Sequence, residues 1–225
     1  MNIRARKTSS DGLTRINVSF VVGAISLLLF FFLVVPCTLV GLGNSYQRSR
    51  RISCTSNLKQ VGLAMRLFAN DHDGKFPWMI STNLGGSLEF TNSSPVFRHF
   101  LAASNELVTP KVLVCGSDSD RERVGDFAQF SNRNLSYFIS LDAVLGETNP
   151  APVILSGDRN ILGGATNRSG LRVVRRTDKL AWSKKIHERA GNLGLADGSV
   201  LQADDSRLNS TVAAMTNASI RLAMP

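Results

Sequence analysis

Residues 12–36 read GLTRINVSFVVGAISLLLFFFLVVP, and the rest of the chain is understood from them. Arg4, Arg6, Lys7 and Arg15 make a basic head. From Val18 to Gly43 there is no charged residue, a run of 26 positions; about 20 helical residues cross a bilayer core. Three readings are open: a signal peptide that is removed, a membrane anchor, or a cleavable segment whose apolar part is kept as an assembly helix. A secretory apolar region is roughly 7–15 residues long and ends in small residues. This run is longer, and GLGNSYQRSRR after it has no A-x-A pattern. A retained membrane helix over residues 13–43 is therefore expected. Pro36 should kink it, because proline cannot donate the backbone bond. Arg48, Arg50 and Arg51 flank the far side, so the count of basic residues does not orient the helix.

Beyond the run, ISCTSNLKQVGLAMRLFAND restores a helical period, with Leu58, Val61, Met65 and Phe68 three and four apart. Residues 44–70 read as an amphipathic continuation that needs a partner for its apolar stripe. The turn-forming DHDGKFP should end it near Asn70. Residues 71–225 suffice for one globular α+β domain, not two. VFRHFLAASNEL reads as a short helix, and KVLVC, LSYFISLDA and APVILSGD as strands. LRVV and KLAW read as further strands after the glycine-rich ILGGATNRSG. In GNLGLADGSVLQAD, Asp197-Gly198 between two short apolar runs predicts a type I′ hairpin. The tail from Asp204 to Pro225 reads as helical, with Leu208, Val212, Met215 and Ile220 apolar. The expected architecture is a long N-terminal helix packed on a small, mostly antiparallel sheet.

The net charge of +9 first suggests nucleic acid. The basic residues are spread along the chain without aromatic interleaving, so no nucleic-acid partner is expected. His72, His99 and His187 are the only histidines, and G-x-S-x-G, H-E-x-x-H and a phosphate-cradling loop are all missing. No catalytic residue and no cofactor is expected. His187 with Asp197 reads either as a catalytic pair or as a pin for the hairpin, and the pin is favoured. Asp118 and Asp120, with Asp71, Asp73 and Glu122, are weak calcium candidates, since hard cations take oxygen ligands. The loop starting at Asp71 carries Thr82 where a calcium loop would have glutamate. Cys54 and Cys115 can form a disulfide if the domain is exported and are inert thiols if it is not. With no C-x-x-C pair, zinc is not expected. Trp78 and Trp182 read as core packing rather than ligand platforms.

Several stretches also resemble a known group. Gly12 and Leu13-Thr14 before an apolar run are similar to a prepilin peptidase site, and Pro36 stands 24 residues beyond it. CTSNLKQVGLAMRLFANDHDGKFPW (residues 54–78), VCGSDSDR, NLSYFISLDA and ILSGDRN continue the likeness. His187, nine residues, then Asp197-Gly198 completes an H-x9-DG pattern. Together these resemble type IV pilins and type II secretion pseudopilins, and in particular prepilin-like proteins of planctomycetes and verrucomicrobia with an H-x9-DG C-terminal domain. The resemblance implies a pilin-like fold and a leader, residues 1–12, cut between Gly12 and Leu13 by prepilin peptidase, with methylation of the new terminus. It implies a single pass through the inner membrane, the N-terminus cytoplasmic and residues 71–225 periplasmic or on a pseudopilus. The implied partners are other pilin-like subunits, met through the N-terminal helix. Asn17 stands where the group usually has glutamate, and Arg15 where it is usually apolar. An amide accepts a hydrogen bond but cannot neutralise a neighbouring amine. A minor or tip subunit is thus expected over a major one; the alternative is an unprocessed, membrane-tethered binding module.

Overall fold

The computed structural model describes the backbone of residues 11–93, 95–146 and 151–225; in the N-terminal helices it describes the side chains of 18–34, 36, 46 and 48 onward. The chain divides into two units, residues 1–48 and 49–225.

In the first unit, helix α1 (Asp11–Leu29) is followed by a π turn (Phe30–Val34) and by helix α2 (Val35–Asn70), which runs on into the second unit. The π turn ends two residues before Pro36. The wider turn stands just ahead of a residue that cannot donate to the carbonyl of Phe32. Every residue from Val18 to Val34 is exposed. Among the described residues no helix is long and apolar enough to cross a membrane. Residues 13–43, expected as one membrane helix, are divided between α1, the π turn and the start of α2.

In the second unit, α2 buries the expected stripe: Leu58, Val61, Met65 and Phe68 are each no more than 3% exposed. The helix stops at Asn70 because Gly74, at φ +77°, sends its N–H back to the Ala69 carbonyl at 2.8 Å. Short helices α3 (Phe97–Ala102) and α4 (Ser104–Leu107) follow. KVLVC, expected as a strand, is a 3-10 turn over Pro110–Leu113. Pro110 supplies the fixed φ of a first helical position, and the Thr109 hydroxyl accepts from Lys111 N–H.

Seven strands form one sheet. They are β1 (Tyr137–Ser140), β2 (Ile154–Asp158), β4 (Ala165–Thr166), β5 (Arg172–Arg175), β7 (Gly191–Leu195), β8 (Val200–Ala203) and β9 (Ser219–Ala223). Their spatial order is β4-β5-β9-β1-β2-β7-β8, and every described pairing is antiparallel. β3 (Ile161–Leu162) and β6 (Ala181–Trp182) make a separate two-stranded ribbon. The tail departs from expectation. Helix α5 covers only Asp205–Ala213, and β9 then enters the sheet between β5 and β1. Ile220 and Leu222 are buried two apart while Arg221 between them is half-buried, so the period has changed from helical to extended.

The strands are covered on both faces. Tyr137, Ile139 and Leu155 join the core under α2, whereas Phe138, Ile154, Leu193 and Leu195 join the core under α5, with Leu208 and Val212. The domain is therefore α+β, with one helix on each side of an antiparallel sheet. Strand residues that meet a helix on either face show near-continuous burial rather than alternation.

Candidate functional site

The most chemically loaded place in the domain lies where α2, the end of β2 and the loop before β7 converge. Cys54 on α2 is joined to Cys115, which follows the 3-10 turn; their Cα atoms are 5.0 Å apart. Asp158 closes β2 and is fully buried. Its Oδ2 accepts from the Asn192 backbone N–H at 2.7 Å and from Asn192 Nδ2 at 2.9 Å. Its Oδ1 has no hydrogen-bond partner among the described residues.

His187 completes the cluster. Its Nε2 lies 3.4 Å from Cys115 Sγ and 3.6 Å from Asp158 Oδ2, and its side chain is 2% exposed. The loop that brings it there is costly. His187, Glu188 and Arg189 have φ of +56°, +51° and +66°, and each non-glycine residue held left-handed costs roughly 1–2 kcal/mol. One side chain holds this loop in place. Asn160 Nδ2 donates to the carbonyls of Ser183, Ile186 and Ala190 at 3.1, 2.9 and 3.1 Å, sharing two hydrogens among three acceptors.

Burial acts oppositely on the acid and the base. It lowers His187 from its ordinary 6.5 to about 4, helped by the nearby charge of Arg51. It raises Asp158 to about 7, against the two Asn192 hydrogen bonds. At neutral pH the imidazole is therefore neutral and the carboxyl is poised between its two states. Both sulfurs beside the imidazole are joined in the disulfide, so the cluster sets a neutral imidazole against a buried carboxyl.

His187 and Asp197 do not form the expected pair. The partners of Asp197 are Ser199, whose N–H donates to Oδ1 at 2.8 Å, and Arg66, whose Nη1 donates to the Asp197 carbonyl at 2.6 Å. The Ser199 bonds hold this carboxyl below its ordinary pKa. The hairpin also differs from type I′. Leu195 N–H donates to Ser199 O, Gly198 N–H donates to Leu195 O, and Gly198 alone takes a positive φ, +89°. This is a three-residue loop closed by a left-handed glycine, a geometry that leaves Asp197 free to cap Ser199. Asp197-Gly198 thus shapes a turn docked on α2, and His187 serves the cluster behind β2 instead of the hairpin.

The remaining expected sites are scattered. Asp118 takes a two-pronged bond from Arg159, both arms 2.7 Å, and Asp120 bonds Arg159 at 2.9 Å and Lys185 at 3.1 Å. These cations supply the charge that calcium would bring. Gly12, Leu13 and Asn17 lie in α1, and their side chains are outside the described residues, as are residues 1–10 of the expected leader. Pro36 is exposed in the first turn of α2. Trp78 and Trp182 are both 2% exposed, in the two cores. Asp158, Asn160 and Asn192 were not anticipated. The available signal was the aspartate ending the otherwise uncharged ILSGD, since a charged residue is rarely buried without a task.

No family model, no curated protein and no solved structure matches this chain.

Proposed function

We propose that this chain is a non-enzymatic, pseudopilin-like subunit of a type II secretion or type IV pilus-like assembly, minor or tip rather than major. The observation that carries the reading is the exposed apolar surface from Val18 to Val34. Phe20 and Phe32 are 75% and 76% exposed, and no residue of the run is covered by its own unit. Soluble monomers rarely leave a contiguous apolar patch above a few hundred Å² uncovered. A surface of this kind calls for lipid, and then for equivalent helices of neighbouring subunits. The residues around Gly12 and the H-x9-DG pattern support the same reading. In it, Leu13 to Gly43 supply lateral packing, and the exported domain supplies the surface by which the subunit is recognised. The helical run through the π turn, rather than one regular helix, inserts into the inner membrane. The Cys54–Cys115 bond agrees with an oxidising compartment.

The test is the N-terminus of the protein recovered from native membranes, read by intact mass and terminal peptide analysis. The expected chain begins at Leu13 with a methylated amine. In-membrane crosslinking from positions in Val18–Val34 is then expected to yield homotypic or pilin-containing products. A chain beginning at Met1 that crosslinks only as a monomer would replace this reading with the tethered binding module, which Asn17 and Arg15 favour.

A further inference from the structure

Away from the disulfide, Arg66 and Asp197 line a cavity of about 450 Å3 between α2, the tip of the β7–β8 hairpin and the loop that follows β1. Small-molecule sites span roughly 300–1,000 Å3 and combine apolar walls with a few placed polar groups. The walls here are of both kinds. Val144, Leu145, Val153 and Leu195 supply the apolar part. Val144 and Leu145 are 49% and 36% exposed, so the loop leaves two large apolar side chains uncovered beside the cavity. Arg66 and Asp197 supply opposite charges, and each is fastened without using the other's charge. Arg66 Nη1 donates to the Asp197 backbone carbonyl at 2.6 Å, and Ser199 N–H donates to Asp197 Oδ1 at 2.8 Å. Among the described residues no ion pair joins the two side chains. A guanidinium carries five N–H groups, so most of its donors stay available. Ala196 N–H donates to Val153 O at 2.9 Å, which fastens the hairpin to the entry of β2 and holds the walls together.

We propose that this cavity binds a free α-amino acid with an aliphatic side chain: its carboxylate on the Arg66 guanidinium, its ammonium group on the Asp197 carboxylate, and its side chain among Val144, Leu145 and Leu195. Arg66 grips the main chain of Asp197 itself, so the cation and the anion stand within one residue of each other. An α-amino acid carries its two charges on a single carbon and bridges such a spacing. A planar guanidinium takes a carboxylate through two parallel bonds. The same pair of charges rejects near relatives. A plain carboxylic acid sets its charge against Asp197 with no ammonium between them, and an amino amide sets its ammonium against Arg66 with no carboxylate between them. The inference is independent of the assembly reading, because a chain that keeps its leader and one that loses it carry the same cavity.

The test uses the full chain in lipid nanodiscs at pH 7, with valine and leucine methyl groups labelled, titrated with unlabelled L-leucine and followed by NMR. Saturable shifts are expected at Val144, Leu145 and Leu195. Leucinamide, which lacks the carboxylate, and 4-methylpentanoate, which lacks the amine, should each bind at least about tenfold more weakly, the cost of one unmatched charge contact. Asp197→Asn keeps an oxygen for Ser199 N–H, and should erase the preference for leucine over 4-methylpentanoate. Arg66→Gln should erase the preference over leucinamide. Val144→Trp, on the exposed loop, should fill the cavity and abolish the shifts while leaving the hairpin intact. The proposal is overturned if either analogue binds as tightly as leucine, if Asp197→Asn retains the preference over 4-methylpentanoate, or if leucine still binds Val144→Trp. It is equally overturned if no saturable shift appears by about 10 mM leucine, tenfold above a millimolar Kd.

Discussion

Arg66 of α2 donates to the backbone carbonyl of Asp197 at 2.6 Å, and so ties the tip of the β7–β8 hairpin to the amphipathic helix. The approach is close because both sides are bare. A Cβ on Gly62 would meet Gly198 Cα at 3.8 Å, and one on Gly198 would meet Arg66 Nη1 at 2.8 Å. Gly198 also needs its φ of +89°. Gly198→Ala should therefore cost about 1–2 kcal/mol, and Gly198→Asn less, because asparagine tolerates the left-handed region. Arg66→Ala should cost about 1 kcal/mol. Urea unfolding of the three variants in one detergent checks the order.

The Asn160 side chain is the clamp on the loop carrying His187. Asn160→Ala leaves buried carbonyls of Ile186 and Ala190 without their donor. A loss of about 2–3 kcal/mol is expected. The more specific sign is faster amide exchange over residues 186–191 with little change in α2, since the Asn160 amide ties the carbonyls on both sides of the left-handed turn.

Removing the Cys54–Cys115 bond frees a loop of 61 positions. The chain-entropy model assigns this about 4 kcal/mol. Cys54→Ser/Cys115→Ser should lower the urea midpoint accordingly. Peptide mapping of the untreated protein should recover the two cysteines as one linked pair.

His99 predicts the direction of the acid response. It is buried, its Nδ1 lies 2.8 Å from Ser87 Oγ, and its Nε2 has no partner among the described residues. Burial lowers it from 6.5 to about 4. Between those values the unfolded chain holds a proton that the folded chain does not. The contribution to stability is thus complete above pH 6.5 and is lost as pH falls toward 4, by roughly 3 kcal/mol in all. His99→Leu should flatten the stability profile in that window, read by urea unfolding at pH 7, 5.5 and 4.5.

Gly191, at the start of β7, is overlaid by the ring of Trp182, and an added Cβ would collide with it. Gly191→Ala should destabilise by about 1–3 kcal/mol. Pairing it with Trp182→Leu should recover part of that loss, so the double mutant is less damaged than the sum of the singles. A simply additive result would mean that the ring moves away at no cost.

Local pattern alone determined a good deal. The three-and-four spacing of Leu58, Val61, Met65 and Phe68 specified both a helix and its buried face. Asp197-Gly198 specified a hairpin, and ILSGD a buried strand. Each depends on neighbours a few positions away. What the tertiary structure decided depends on distant ones. Ile220 and Leu222 fit a helical reading until pairing with β5 and β1 offers their backbone two ladders, which outweighs weak local preference. KVLVC has strand composition, but Pro110 and its Thr109 cap turn it into a 3-10 segment. The candidate site is the clearest case. Cys54, Cys115, Asp158 and His187 stand on separate elements, and only the packing of α2 and the strained loop against the end of β2 brings them within reach. Sequence periodicity reports which side of an element is buried; it does not report which buried groups meet, because that is set by contacts across the sheet.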